Sequence, residues 1–206
     1  LIQHIIKQRY FEEEISNEVN LSYSDNQVTV TTDYLTLVYT LNSEGYASQC
    51  VYSLSSQNRI YQFSYSAEGY LTGIVENIDN TEYSSTSLTY ENGDITSISS
   101  KMNGLENKFI YEPGEESSTY HLPCLGLLEI HPLTFHIEAL YAGLLGKDPR
   151  HFTMHSCPAG SNDEKTIYSY EFDKKGNPSR MICQTTYAGG QASYYPYTRN
   201  ISISFE

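Results

Sequence analysis

The run Tyr61-Gln-Phe63-Ser-Tyr65-Ser-Ala-Glu-Gly69 contains the unit from which most of this 206-residue chain is made. Its aromatic residues sit two apart, with Gln62 and Ser64 between them. That alternation marks a strand with one dry face and one wet face. Glycine follows Tyr65 by four positions. A short polar loop ending in glycine fits the hairpin in which a type I turn is followed by a left-handed residue, a conformation glycine adopts without steric cost.

The unit returns at intervals of 19 to 24 residues over the first half of the chain. Copies are Tyr39-Thr-Leu41-Asn-Ser-Glu-Gly45, the shorter Leu88-Thr-Tyr90-Glu-Asn-Gly93, and Tyr168-Ser-Tyr170-Glu-Phe172-Asp-Lys-Lys-Gly176. Weaker copies are Leu21-Ser-Tyr23-Ser-Asp-Asn26 and Phe109-Ile-Tyr111-Glu-Pro-Gly114. Aligning them places turns near 26, 45, 69, 93, 114 and 176. Asn42, Asn92 and Asp173 add side chains that can cap turn amides. A fixed period means one supersecondary unit used repeatedly. The sequence therefore predicts a mainly β fold, an antiparallel meander of about ten to thirteen short strands, curled or barrel-like. Strands of about five to seven residues are expected, with Ile201-Ser-Ile203-Ser-Phe205 as the last.

One interruption separates Gly114 from Gly176. Within it the stretch 132–145 reads as a helix. Pro132 suits the first helical position, and Gly146 suits a left-handed C-terminal cap. Leu133, Ile137, Leu140, Tyr141 and Leu144 recur at helical spacing as one apolar stripe. The helix is read as a plug or cover for one face or end of the sheet, with a partner-binding helix as the alternative. A single domain spans 1–206, comprising a lead-in (1–19), hairpin repeats (20–114), an insertion with the helix (115–165) and returning repeats (166–206).

The chain carries 25 acidic and 12 basic residues, a formal charge of −13. Such a charge repels phosphate backbones and anionic lipid, so nucleic acid is not expected as a partner. No stretch approaches the roughly 18 apolar residues of a membrane-spanning helix. Tyrosine supplies 20 residues and tryptophan none. Tyrosine can pack its ring while its hydroxyl stays wet, which suits a thin-cored sheet; a sugar-stacking surface is the sharper reading.

Candidate chemistry is sparse. The four cysteines form no C-x-x-C pair. Cys50 follows Gly45 by five positions, the slot that Ile74, Ile98 and Met181 hold in sister units, and is read as core. Cys183 shares the face of Met181 and is read likewise. Five of the six histidines (His121, His131, His136, His151 and His155) lie in the interruption or at its borders. His131 and His136 stand about 140° apart on a helix, so they are read as scattered surface and cap residues, not metal ligands. The run Glu12 to Glu14 and the pair Glu115-Glu116 are read as solvated surface. Asp79-Asn80 and Asn162-Asp163-Glu164 do not fit a calcium loop. Nucleophile-elbow, P-loop, dinucleotide and zinc-protease motifs do not occur. Catalytic and metal residues are therefore given as none, ligand-binding residues as unknown and cofactors as none. If the chain carries a specific site, the interruption at 115–165 is where it is expected.

The repeats place apolar residues two and five positions after the glycine: Leu71 and Ile74, Ile95 and Ile98, Pro178 and Met181. In this they resemble a family of secreted Bacteroidetes lipoproteins known as a domain of unknown function with a porin-like fold. The stretch Ala139-Leu-Tyr-Ala-Gly-Leu-Leu-Gly-Lys147 resembles that family's helical insertion. The resemblance covers roughly residues 20–206. A more distant likeness is to the tyrosine-aspartate repeats of large secreted bacterial proteins, although the regular Tyr-Asp dipeptide is missing here. The resemblance implies a curled antiparallel sheet, an export signal and lipidated cysteine upstream of Leu1, and a place in the cell envelope or at the cell surface. It implies no activity and no catalytic residue. An oxidising envelope would permit a disulfide between Cys124 and Cys157.

Three functions are weighed. The first is a non-enzymatic envelope lipoprotein that binds glycan, peptide or another envelope protein, or acts as a scaffold, touching the membrane only through its lipid anchor. The second is a glycan hydrolase using strand-borne carboxylates. The third is an outer-membrane pore, which short strands disfavour.

Overall fold

The computed structural model describes residues 2–10, 13–32, 35–53, 57–117, 130–161, 164–172, 174, 178–187 and 197–202. Before the interruption the strands are β1 (Ile2–Tyr10), β2 (Glu13–Ser24), β3 (Gln27–Thr31), β4 (Thr36–Leu41), β5 (Ala47–Ser53), β6 (Asn58–Tyr65), β7 (Leu71–Ile78), β8 (Thr81–Glu91), β9 (Asp94–Met102) and β10 (Leu105–Ser117). After it come β11 (His151–Pro158), β12 (Glu164–Phe172), β13 (Pro178–Tyr187) and β14 (Tyr197–Ser202). Each pairs antiparallel with the next in chain order, so the meander expected from the repeat is the fold. The stretch 1–19 supplies β1 and the start of β2. The strand order closes where β1 meets β14; among the described residues their register sets Gln8 opposite Ile201. The β1–β2 ladder runs unbroken from Ile2–Leu21 to Tyr10–Glu13. The sheet is thus curled, with β1 brought beside β14.

The turns explain the register. Gly45 and Gly69 take φ of +85° and +93°, and the N–H of Gly69 returns to Ser66 O at 3.0 Å. Asn42 Oδ1 accepts the amides of Glu44 and Tyr46, and Ser66 Oγ accepts the equivalent pair, Glu68 and Tyr70. The turns Asp79-Asn80, Asn92-Gly93 and Asn103-Gly104 have positive φ at both residues, the geometry of two-residue hairpins.

The turn expected at Gly114 does not form. Gly114 lies inside β10, next to a register shift between Glu112 and Pro113. Pro113 has no N–H for the ladder, and a Cβ on Gly114 would come 2.4 Å from Met154 Cγ. The glycine makes room for a neighbouring side chain instead of turning the chain. The turn sits earlier, at Asn103-Gly104. The expected turn at Gly176 and residues 203–205 of the expected last strand lie outside the described residues.

Strands range from 5 residues in β3 to 13 in β10, exceeding the about five to seven expected from apolar alternation. Pairing continues through small polar residues. Ser84 and Thr86 of β8 are as buried as Leu88 further along the same face, so the apolar signal stops before the strand does.

Val28, Val30, Leu37, Tyr39, Cys50 and Ile74 point inward and are at most 1% exposed, while Gln62, Ser64, Ser87 and Thr89 are exposed. A membrane barrel has the reverse pattern, with apolar residues outside and polar ones within. The insertion enters this core. Ile130, Leu133, Ala139, Leu140, Leu144 and Leu145 join the same buried cluster as the strand residues. The helix expected over 132–145 is divided into a 3-10 turn at Leu133–Phe135 and α1 at Ile137–Tyr141. It begins after a cis His131–Pro132 bond. Gly143 ends it with φ of +70°; its N–H bonds Leu140 O while the N–H of Leu144 bonds Ala139 O. That pair of bonds is a Schellman cap. Gly143, not Gly146, is therefore the capping glycine.

Candidate functional site

In a meander, connections alternate between the two ends of the sheet. The turns β4–β5, β6–β7 and β8–β9 therefore share an end with the long β10–β11 connection. Leaving α1, the insertion crosses that rim and bonds successive repeat turns through its backbone. Ala47 donates to Leu144 O at 2.7 Å, Lys147 to Gly69 O at 2.9 Å, and Arg150 to Gly93 O at 3.0 Å. From one bond to the next the insertion advances three residues while the bonded sheet residue advances by 22 and then 24. His151 ends the crossing, its amide and its Nδ1 each 2.8 Å from an oxygen of Asp94. The segment 144–150 is a strap tied once to each of three successive repeats.

Beneath the strap the sheet opens. The β7–β8 ladder ends at Gly73 opposite Ser87, although both strands run further toward the rim. There β7 stays paired with β6 as far as Tyr65–Leu71, and β8 with β9 as far as Glu91–Asp94. Each strand follows its own hairpin, and the two hairpins part. Continuing the β7–β8 register three positions brings Tyr70 opposite Tyr90. Their rings stack at 4.9 Å between centroids, inclined by 30°. The gap is an open groove of about 770 Å³. Leu88, Thr72 and Thr89 line it together with Lys147 and Arg150 of the strap.

The groove's polar groups are held in place. Arg150 donates from a guanidinium nitrogen to Asn92 O at 3.3 Å. A Cβ on Gly93 would fall 2.6 Å from Arg150 Cδ and 2.8 Å from Tyr70 Oη, so only glycine lets both side chains rest on that turn. Glu68 is the one carboxylate among the described lining residues. Hydrogen bonds from Ser66 and from its own amide, with the nearby charge of Lys147, hold it below the usual carboxylate range.

Expected as surface and cap residues, His131, His151 and His155 are partly exposed but each meets a carboxylate, and His136 stands at the N-cap of α1. His131 Nε2 lies 2.6 Å from Glu76 Oε2, His151 bonds Asp94, and His155 Nδ1 lies 3.0 Å from Glu112 Oε2. Each takes a different carboxylate on a different strand. His136 is fully buried and lies nearly perpendicular to the rings of Tyr61 and Phe63. Its Nδ1 is 2.8 Å from the hydroxyl of Tyr39. Burial depresses its pKa to about 3, so it is neutral at physiological pH. His121 lies outside the described residues. Among those residues, no three His, Cys, Asp or Glu side chains converge as a metal site.

Glu76 anchors a polar cluster toward the opposite end of the sheet. It is fully buried and accepts from Ser84 Oγ at 2.9 Å and from Arg59 at 3.1 Å. Burial raises its pKa, but the bonds from His131 and Ser84 and the charges of His131 and Arg59 outweigh that and hold it low. Thr86 and Ser100 both donate to His131 O. The cluster pins the start of the insertion as the strap pins its end. Among the described residues the buried carboxylates, Glu76 and Asp94, are thus engaged in holding the insertion.

Cys50 and Cys183 are buried in the core, as their register positions imply. Cys157 carries a free thiol on β11, and Cys124 lies outside the described residues. Sequence reasoning reaches Tyr90 and Gly93 as parts of a repeat. Lys147 and Arg150 lie in the interruption at 115–165 to which the sequence points, but nothing in it singles out either side chain, because their approach depends on the path of the insertion.

A porin-like protein of known crystal structure from Bacteroides uniformis ATCC 8492 is similar over 97% of this chain and 83% of its own, with a TM-score of 0.83 and 25% sequence identity. A second porin-like protein, from Bacteroides vulgatus ATCC 8482, is similar over 98% of this chain and 99% of its own, with a TM-score of 0.61 and 13% identity. The second likeness shows the fold alone. No curated protein matches the chain by sequence. The model of one family matches residues 1–180, and the chain belongs to that family, the domain of unknown function (DUF4595) with porin-like fold.

Proposed function

We propose that this chain is a non-enzymatic binding module of the bacterial cell envelope, exported and held at the membrane by a lipid anchor, with its ligand seated in the rim groove. The observation that carries the reading is the stacked Tyr70–Tyr90 pair in a groove whose edge is fixed by backbone bonds from the strap. Ligand sites are typically preformed clefts of about 300–1,000 Å³ with a few placed polar groups, and this groove falls in that range. The envelope location draws support from the porin-like relatives in Bacteroides. A role as a pore is disfavoured by the inward apolar core and the insertion packed within it.

The reading is tested by screening envelope glycans, peptides and proteins for binding by NMR. A ligand of this site shifts the resonances of Tyr70, Tyr90 and Lys147, and Tyr90→Ala weakens it by about tenfold or more while the fold is retained. A ligand whose shifts map elsewhere, or a complete screen without binding, counts against the groove as the site.

A further inference from the structure

Resting on the groove as a binding site, we infer that its ligand is an acidic saccharide, a sugar chain bearing carboxylate or sulfate groups. Three features of the groove point to that chemistry.

The first is local charge. The chain has about two acidic residues for every basic one, yet the described lining of the groove holds Lys147 and Arg150 against Glu68 alone. This small reversal of sign lies within a strongly acidic protein. Hydrogen bonds from Ser66 and its own amide hold Glu68 below the usual carboxylate range, with a smaller contribution from the charge of Lys147. Arg150 uses one guanidinium nitrogen on Asn92 O. A guanidinium carries five N–H donors in a fixed fork, a geometry that matches a carboxylate or sulfate edge.

The second is the aromatic pair. Two tyrosines stacked across a splayed strand pair line the groove, and the Tyr70 hydroxyl lies against the Gly93 turn. An apolar face with a wet rim matches the C–H face and hydroxyl edge of a sugar ring. The third is the wall. Thr89 and Asn92, with the hydroxyl oxygen of Thr72 as an acceptor, can bond sugar hydroxyls, while Ser66 is engaged in its own turn. A peptide pairing with the parted strand edges is the rival occupant; against it, the lining offers one buried aliphatic side chain, Leu88, for side-chain pockets.

The test is isothermal titration of the whole chain with four probes: trigalacturonate, a sulfated disaccharide, the neutral trimer maltotriose, and tetraglutamate. Binding of either acidic sugar is expected, at least about tenfold tighter than the neutral trimer, and weakened about tenfold by Arg150→Gln and by raising salt from about 50 to 500 mM. Glu68→Gln is expected to tighten binding severalfold, a gain that misfolding cannot mimic. The carboxylated and sulfated probes separate the two sources of acid. Neutral trimer bound as tightly as the acidic sugars, or indifference to Arg150→Gln, overturns the acidic preference and leaves the groove as a sugar site. Tetraglutamate bound as tightly as the sugars overturns the saccharide assignment. Failure of all four probes, with the groove also silent in the wider screen, overturns both readings.

Discussion

His136 Nδ1 lies 2.8 Å from the hydroxyl of Tyr39, a residue 97 positions earlier, and this buried bond ties the insertion to the middle of the sheet. Burial holds the Tyr39 hydroxyl protonated by raising its pKa, so neither partner is charged. Tyr39→Phe leaves the buried ring nitrogen without its partner and is expected to cost about 1–2 kcal/mol. His136→Ala opens a cavity among Tyr39, Tyr61 and Phe63 as well, and is expected to cost about 2–4 kcal/mol. Urea unfolding of both variants measures this; a loss below about 0.5 kcal/mol in each would place the ring outside the core.

His136 also predicts an acid limb of stability. Its folded pKa is near 3, against about 6.5 in the unfolded chain. Above pH 6.5 or so neither state takes the proton. Between that value and pH 3 only the unfolded chain takes it, so stability falls by up to about 1.4 kcal/mol per pH unit as the medium is acidified. Glu76, held low in the fold, extends the loss below the ordinary carboxylate range. Unfolding free energies of wild type and His136→Leu from pH 7 to pH 5 are expected to diverge in slope. Parallel lines would mean that the ring is solvated.

Glu76 is fully buried between Arg59, His131 and Ser84. Glu76→Gln keeps the shape but removes the charge that its partners face, and is expected to cost about 2–3 kcal/mol, since both basic partners stay partly solvated. Paired with His131→Ala, it should show non-additivity of about 0.5–3 kcal/mol in a double-mutant cycle. Additive losses would separate the two residues energetically.

Gly93 combines φ of +89° with the close approach of Arg150 and Tyr70. Gly93→Ala is expected to cost about 1–3 kcal/mol and to shift the Arg150 and Tyr70 resonances together. A shift confined to the turn would uncouple it from the groove.

Burial pushes the Cys50 thiol up to about 12, so it stays protonated and shielded. Peptide mass mapping after alkylation at pH 8 should find Cys50 and Cys183 unmodified in the folded chain and modified in urea, while Cys157 reacts in both. Rapid native labelling of Cys50 would contradict its core position.

The repeat made the architecture legible because its alternation and glycines encode strands and turns locally. Cys50, Gly45 and Gly69 stand where copy-to-copy alignment puts them. Gly114 misled because glycine marks either a turn or a close approach, and only the Met154 side chain decides which. Asn103-Gly104 escaped notice because Met102 and Leu105 beside it are exposed, so no apolar alternation frames the turn. The helix read shorter than its apolar stripe because that stripe is buried on several sides by the sheet, which needs no continuous helix to cover it. The groove was half legible: Tyr90 belongs to a repeat, but its pairing with Tyr70 and the arrival of Arg150 follow from how two hairpins part and where the strap crosses.

The insertion as an integral plug, with its strap fixing the groove, is tested most directly by native hydrogen exchange at the amides of Ala47, Lys147 and Arg150, the donors of the three rim bonds. Protection of all three comparable to the β6–β7 ladder is expected. Exchange of Lys147 and Arg150 at the rate of an open chain, with the ladder still protected, would contradict it.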